Sequence, residues 1–437
     1  MKQVIVIGGG PSGMMAAIAS ARNGAQTTLL EAGQRPGRKL LLTGNGRCNL
    51  TNLNPLIQSV YSSSDWDGAR QLVEAVFSQF SVKDTLSFFQ DAGLLTTVEH
   101  ESYVYPATGQ SASVLEILLR TLDSLNVKLK YNEEVVAVER NEDGIQEDGI
   151  SCAWRVRTKT WSYPADSVVL CCGSRAVPST GSNGSGYELA RMLGIDVTDI
   201  LPGLTAVTCK LPEPDAKAYV PGSRKKGIDK LAQASGTPAD VLLAASGTRT
   251  TALVTVLADE RVIASEKGQV QFTQHDLSGV VVFNLSRAVV RALHDGCSVT
   301  LSLDLLPDVP ALELEKMIRN LLDRFSGIAP EKLLAGFVPS RLIGAVIASR
   351  EQSGKSLAEA MKDFRLKAVR LRDFDSAQIC VGGVKLSEID PQTLECRSED
   401  LKGIYLAGEL IDVDGPCGGY NLQWAWSSGY VAGMHAS

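Results

Sequence analysis

The stretch that most constrains this chain lies at its start, where Lys2-Gln3-Val4-Ile5-Val6-Ile7 runs into Gly8-Gly9-Gly10-Pro11-Ser12-Gly13 and then Met14 to Ala21. A short apolar run, a glycine cluster and an apolar-periodic segment read as strand, turn and helix. Gly8, Gly10 and Gly13 stand at the G-x-G-x-x-G positions. One glycine there lets the strand turn sharply, one admits a pyrophosphate to the backbone, and one packs the helix on the strand. The helix start then points unpaired N–H groups and its positive dipole end at the phosphates. A second strand, Thr27-Thr28-Leu29-Leu30, ends at Glu31, about 20 residues on, where a carboxylate meets ribose hydroxyls and argues against a 2'-phosphate. A glycine turn alone is weak evidence. Strand, turn, helix, second strand and terminal acid in register predict dinucleotide binding. Gly13→Val, by filling the space a pyrophosphate needs, is expected to give colourless apoprotein.

With 437 residues, 44% of them apolar, the chain can bury more than one core. Its formal charge of -6 leaves no electrostatic footprint for DNA or RNA, so no nucleic-acid partner is expected. The basic run Arg224-Lys225-Lys226 reads as a solvated loop. The apolar start is too short for a signal peptide or a membrane span and continues into the glycine turn. No membrane association is expected, and the default compartment is the cytoplasm. Nine cysteines without C-x-x-C pairing make neither a metal-ligand set nor a disulfide framework. No metal is expected, and the thiols should be reduced and mostly buried.

A second unusual stretch is Thr43-Gly44-Asn45-Gly46-Arg47-Cys48-Asn49-Leu50-Thr51-Asn52. Its glycines free the backbone for a close approach, and Asn45, Arg47 and Asn49 supply donors for the edge of a planar heterocycle. The competing reading is a polar surface turn. From Asp67 to Ala92 the pattern is helical, and Val127–Tyr131, Glu134–Val138 and Trp154–Thr158 read as strands, with an acidic turn from Asn141 to Gly149. Ser167 to Cys172 is wholly apolar after its first residue and breaks at Gly173, as a parallel strand buried on both faces does. The glycines of Thr180–Tyr187 either contact a cofactor or only cap a helix. Beyond Leu201-Pro202-Gly203 come β-type runs at Thr251–Leu257, Gln269–Phe272 and Val280–Phe283, then helices around Glu313 to Phe325. These read as an inserted domain covering the cofactor, in which His275 either reaches the substrate pocket or is only a turn residue. The end of the chain returns to the first domain. Leu401 to Glu409 is a short buried strand ending in a glycine and an acid placed to accept from a ribityl or ribose hydroxyl. A glycine loop then enters a helix running to Gly433, whose N-terminus can stabilise negative charge on a reduced flavin.

The blocks GGGPSG, GRKLLLTGNGRCNLTN (Gly37 to Asn52), FTQHDLSGVVV, and ICVGGV through LAGELIDVDGPCGGYNLQWAWSSGYVAG resemble the BaiN-like, or aminoacetone-oxidase, family of FAD-binding oxidoreductases. The resemblance implies an α/β fold: a two-dinucleotide-binding-domain, Rossmann-like FAD fold, split in sequence, with an inserted β-barrel-like plus helical domain. The expected bounds are 1–194 and 346–437 for the FAD domain and 195–345 for the insertion. Gly8, Gly10 and Gly13 look like the pyrophosphate loop, Glu31 the adenosine-ribose ligand, and Arg38 and Lys39 neighbours of that end. Val135 is similar to the residue whose backbone reads adenine. Asn45, Gly46 and Arg47 look like the flavin-side loop, and Glu409, Gly419, Tyr420, Asn421 and Leu422 like ribityl and ring contacts. Pro11, Ser12, Ala32, Leu40, Thr43, Gly44, Cys48, Cys172, Gly173 and Gly408 complete the set expected around FAD. Cys171-Cys172-Gly173-Ser174, Gly181-Ser182-Asn183-Gly184-Ser185-Gly186 and Tyr105-Pro106 depart from the usual A-T-G-G, G-S-T-G-D-G and Phe-Pro, which puts substrate identity in doubt more than FAD binding.

The chemistry expected is transfer of a hydride between flavin N5 and a small or medium organic substrate. The resemblance suggests reduction of an activated C=C conjugated to a carbonyl. NADH or NADPH is a candidate transient donor, although no second full G-x-G-x-x-G is visible. No catalytic residue can be assigned; Tyr420, His275 and Tyr105 are the candidate proton donors. Alternatives are an oxidase of amines or amino ketones using oxygen, a flavin-dependent RNA-modifying protein, and a flavoprotein whose FAD is only structural. A disulfide reductase is disfavoured, because Cys48 has Thr43 and Leu53 at the positions five away. The oligomeric state is not legible.

Overall fold

The computed structural model describes residues 1–141, 152–211 and 242–437. The acidic turn expected after Asn141 and the basic run at Arg224 lie outside these residues. The chain forms two units, Met1–Leu201 with Gln378–Ser437, and Pro202–Ala377. The expected bounds at 195 and 345 are thus moved to 202 and 377.

The first unit opens with β1 (Gln3–Ile7), α1 (Pro11–Arg22) and β2 (Gln26–Glu31). Val4 to Ile7 are buried, as a strand inside a parallel sheet covered on both faces requires. Next come β3 (Thr51–Asn52), α2 (Trp66–Gln79) and α3 (Val82–Asp91). The single helical stretch expected from Asp67 to Ala92 is therefore two helices. The break is chemical: the Ser81 side chain accepts from the Asp84 N–H while the Asp84 carboxylate accepts from the Ser81 N–H, a capping box that starts a new helix. A hairpin of β4 (Thr96–Glu99) and β5 (Tyr103–Pro106) follows, then α4 (Ser111–Ser124) and β6 (Lys128–Tyr131). The antiparallel strands β7 (Val135–Arg140), β8 (Trp154–Thr158) and β9 (Ser162–Ala165) precede β10 (Ser167–Leu170) and α5 (Ser185–Met192).

The second unit holds a closed antiparallel barrel. Its strands are β11 (Val207–Lys210), β12 (Arg249–Ala258), β13 (Arg261–Phe272), β14 (Asp276–Ser278), β15 (Val299–Asp304) and β16 (Phe364–Leu371), in the order β11-β14-β13-β12-β15-β16. Pairing of β16 with β11 closes it, which is why residues beyond 345 belong here. Alternating Val254, Val256, Val270, Phe272, Leu301 and Leu303 are buried, giving the period-two pattern of a filled barrel. Helices α6 (Val280–His294), α7 (Ala311–Arg324), α8 (Ser340–Ser353) and α9 (Leu357–Lys362) complete the unit. The β-type run Val280–Phe283 is the first turn of α6. Val281, Val282, Leu285, Val289 and Val290 are buried at helical spacing, and this packing overrides the β preference of three consecutive valines.

The closing segment returns to the first unit as β17 (Ile404–Leu406) and α10 (Tyr420–Ala436). The parallel sheet is then complete in the order β17-β10-β1-β2-β6. Helix α10 lies against α1 at backbone contact. A Cβ on Gly429 would stand 2.3 Å from the Ser12 carbonyl oxygen, and one on Gly433 2.2 Å from that of Ala16. The four-residue glycine spacing puts both on one helix face.

Candidate active site

The three glycines at the G-x-G-x-x-G positions of the opening turn do three different things. Gly8 has φ +107°, and a Cβ there would lie 2.4 Å from the Cys171 carbonyl oxygen, so the turn runs hard against the end of β10. A Cβ on Gly13 would stand 1.8 Å from the Gly8 carbonyl oxygen, so this glycine closes the helix onto the turn. Gly10 faces open space, with nothing within 4 Å of its Cβ position. It is the N-cap of α1, which has Pro11 in its first turn, no side-chain cap and no acid there. The space expected in front of Gly13 is thus filled by the chain itself, and the open space lies at Gly10.

Glu31 ends β2 and ties this turn together: Oε2 accepts from Gly9 N at 2.8 Å and Oε1 from Gly33 N at 2.7 Å. A carboxylate has about four lone-pair sites, so both oxygens keep capacity for hydroxyl donors. Ala32 beside it is exposed. Glu133 N donates to the Glu31 carbonyl at 3.0 Å, which brings the start of β7 and buried Val135 to the same end. Arg38 Nη2 donates to the Ser179 carbonyl at 2.5 Å, linking this end to the loop before Gly181. Beyond β10 and Cys171, the Cys172 Cα lies 3.1 Å from the Cβ position of Gly8, and Gly173, at φ +71°, follows it.

A second group gathers at the ends of β10 and β17. Lys39 Nζ lies 2.6 Å from Glu409 Oε2, and Ser174 Oγ donates to the same oxygen at 3.0 Å. Gly408 N donates to Ser428 Oγ at 3.0 Å, which fixes the strand end to α10. Ser174, fully buried, was not among the expected site residues; its only signal was its departure from the glycine usual there.

The third group is the loop Thr43–Cys48 with the start of α10. Gly44, Asn45, Gly46 and Cys48 all take left-handed φ values, so the loop is a tight coil, with Gly44 and Asn45 exposed at the surface. Thr43 Oγ1 donates to the Leu40 carbonyl at 2.7 Å. Leu40 and Cys48 are themselves fully buried core residues, and burial pushes the Cys48 thiol up to about 12. Arg47 forms a two-point fork with Glu99, and its guanidinium carbon lies 4.3 Å over the Tyr105 ring. Glu99 is a second residue that sequence reasoning missed; only the register of the β4–β5 hairpin brings it to Arg47.

Gly419, at φ +91°, is the N-cap of α10, again without a side-chain cap or a first-turn acid. Two asparagines expected to face the ligand are spent on the chain. Asn49, in the amide orientation that satisfies its neighbours, serves Val104 O, Thr51 O and Gly419 N. Asn421 Oδ1 accepts from Gly415 N at 2.9 Å, and its Nδ2 donates to Gly415 O at 2.8 Å. Leu422 is half-buried against the core. Tyr420 is mostly buried; its hydroxyl accepts from Asn54 Nδ2 at 3.1 Å, and its carbonyl from the Tyr61 hydroxyl at 2.7 Å. Tyr105 is half-buried, and burial raises its hydroxyl above the usual tyrosine range. His275 lies in the second unit, exposed in the turn between β13 and β14. Among the described residues no group of acids, cysteines and histidines could hold a metal ion, and no helix is long and apolar enough to cross a membrane.

A parallel sheet with a glycine turn opening an uncapped helix, an acid closing the second strand and a second uncapped helix start define a Rossmann-type dinucleotide-binding fold. The model of the HI0933-like protein Rossmann domain matches residues 2–435, and the chain belongs to that family. A relative named 3-dehydro-bile acid delta(4,6)-reductase, from Clostridium scindens, is 36% identical over 451 residues, covering 100% of this chain and 99% of the relative. The ribosomal RNA dihydrouridine synthase of Escherichia coli is 24% identical over 445 residues, covering 98% and 96%. Among solved structures, a 3-ketosteroid-delta4-(5alpha)-dehydrogenase from Rhodococcus jostii RHA1 is similar at a TM-score of 0.48 and 15% identity, covering 100% of this chain and 97% of that one. The resemblance to the BaiN-like oxidoreductases holds, and the protein is an FAD-dependent oxidoreductase. Its residues fit FAD: the open Gly10 cradle before the uncapped α1 suits a pyrophosphate, and both helix starts leave N–H groups for negative charge.

Proposed function

We propose that the protein reduces a C=C bond conjugated to a carbonyl in a small or medium organic substrate, with NADH or NADPH as electron donor. The full-length, 36% identity to the reductase from Clostridium scindens is the observation that supports this most. In this reading Gly10 and the first turn of α1 hold the FAD pyrophosphate, and Glu31 with the chain near Val135 holds its adenosine end. Glu409, fixed by Lys39 and Ser174, serves the ribityl side, and the loop Gly44–Arg47 with the start of α10 borders the ring. Bound FAD supplies the hydride chemistry.

The rest falls to the chain. Helix α10, uncapped and without a first-turn acid, favours negative charge before Gly419. The Tyr105 hydroxyl, raised by burial, keeps its proton at neutral pH and can donate it. The Tyr420 hydroxyl, oriented by Asn54, is the other donor within this unit. An anaerobic titration of the FAD-loaded protein with NADH and then NADPH tests the reading. Loss of the oxidised-flavin absorbance with either is expected. A flavin that neither bleaches, but that an amine or amino ketone does, supports an oxidase instead.

A second reading is RNA modification, favoured by relatives named ribosomal RNA dihydrouridine synthase at 24% and 25% identity. The net charge of -6 counts against it, and we take a small molecule, not RNA, as the partner. Salt-sensitive binding of ribosomal RNA below micromolar concentration would reverse that choice.

A further inference from the structure

Arg47 is engaged twice at the end of its left-handed loop. Nη1 donates to Glu99 Oε2 at 3.1 Å and Nη2 to Glu99 Oε1, while the guanidinium stacks 4.3 Å over Tyr105. In the β4–β5 hairpin Glu99 stands opposite Tyr103 and Thr97 opposite Tyr105, so Glu99, Tyr103 and Tyr105 share one face. That face continues to the start of α10, because a Cβ on Gly418 would lie 3.1 Å from the Tyr103 ring and 3.2 Å from that of Tyr420. The Arg47 and Glu99 side chains remain 43% and 33% exposed. An incoming ligand therefore meets tyrosine rings and a cation whose charge is already matched.

We propose that Glu99 is a specificity-determining residue: by matching the charge of Arg47 it makes the site select flat, uncharged carbonyl ligands over carboxylates. A free guanidinium takes a carboxylate through two parallel N–H bonds, and here Glu99 occupies that fork. A competing carboxylate has to displace Glu99 and then lie beside its like charge. An uncharged carbonyl needs one N–H, and arginine has five, so it binds without breaking the pair. The Tyr105 ring holds the guanidinium plane in place and offers stacking area to a flat ligand. The inference rests on the proposed function only in taking the Gly44–Arg47 loop as a border of the substrate site.

The test uses benzamide and benzoate, two flat ligands of nearly one shape that differ in charge. Each is titrated into the FAD-loaded wild type, Glu99→Gln, Glu99→Asp and the double variant Arg47→Gln/Glu99→Gln, with binding followed by flavin absorbance and calorimetry. The wild type is expected to prefer benzamide. Glu99→Gln should tighten benzoate on the order of tenfold and leave benzamide within about twofold. The double variant should lose that gain, and Glu99→Asp should restore the wild-type preference. A Glu99→Gln protein that shifts both ligands equally, shifts neither, or binds no benzoate overturns the proposal. Because binding is read without turnover, a failed enone assay contradicts the proposed function and leaves this result standing.

Discussion

Lys39 Nζ lies 2.6 Å from Glu409 Oε2, an ion pair between residues 370 positions apart that joins the two sequence segments of the first unit. Both side chains are about four-fifths buried, at 22% and 20% exposure, so neither is screened as a surface pair is. Removing one partner of such a pair costs about 1–3 kcal/mol, or roughly five- to 150-fold in an affinity that depends on it. Lys39→Met should therefore weaken FAD binding on the order of tenfold and lower the melting temperature. Lys39→Met/Glu409→Gln should regain the melting temperature without the affinity. Reconstitution of apoprotein, followed by quenching of FAD fluorescence, measures the first effect, and a thermal melt the second.

Gly10 and Gly13 should fail differently. A side chain at Gly10 enters open space before α1, so Gly10→Val is expected to fold and purify colourless. At Gly13 even a methyl group meets the Gly8 carbonyl at 1.8 Å, so Gly13→Ala should lose stability by about 3 kcal/mol or more as well as colour. Circular dichroism melts beside the flavin spectrum separate the two.

Gln423 is fully buried in a polar network beneath α10. Thr51 Oγ1 donates to its Oε1 at 2.5 Å, its Nε2 donates to Thr85 Oγ1 and Ser427 Oγ at 2.8 Å each, and Ser427 donates to the Phe80 carbonyl at 2.7 Å. Gln423→Leu keeps the volume but takes these partners away, and each buried polar group left unsatisfied costs about 1–3 kcal/mol. A lower melting temperature is expected in thermal denaturation, with a larger loss than for Gln423→Glu at acid pH, where a protonated carboxyl can still donate.

The cysteines should be chemically quiet. Burial pushes the Cys48 and Cys172 thiols up to about 12 and Cys171 higher still. The thiolate is the reactive form, and at pH 8 these groups remain protonated. Titration of the native protein with a chromogenic thiol reagent should therefore leave all three unmodified, with reaction only after denaturation. Rapid native labelling of Cys48 or Cys172 would reopen a redox role.

Much of the first unit is legible in the sequence because its signals are local. The run from β1 to Glu31 carries its own strand, turn, helix and acid, and the close contacts of Gly8 and Gly13 are of the kind that the glycine spacing implies. Elsewhere the signal was present but outweighed. Ser81 and Asp84 spell a capping box inside an apolar periodicity that continues across it, and Val280–Val282 spell a strand where packing on β13 demands a helix. The spacing of Gly429 and Gly433, which sets the α10 contact with α1, was in plain sight and unread. What no local pattern could supply are the long-range pairings. Closure of the barrel by β11 and β16 moved the unit boundary, and the contacts of Arg47 with Glu99 and of Ser174 with Glu409 exist only through the register of distant strands. Asn49 and Asn421 mislead for the same reason, since an amide that looks ready for a ligand was committed to the backbone by a neighbour far along the chain.

The most direct test is to reduce the FAD-loaded protein without oxygen and mix it with an α,β-unsaturated ketone, following the flavin absorbance. The oxidised spectrum should return as one equivalent of the enone is saturated. A flavin that stays bleached with excess enone and regains its colour only when oxygen is admitted would contradict it.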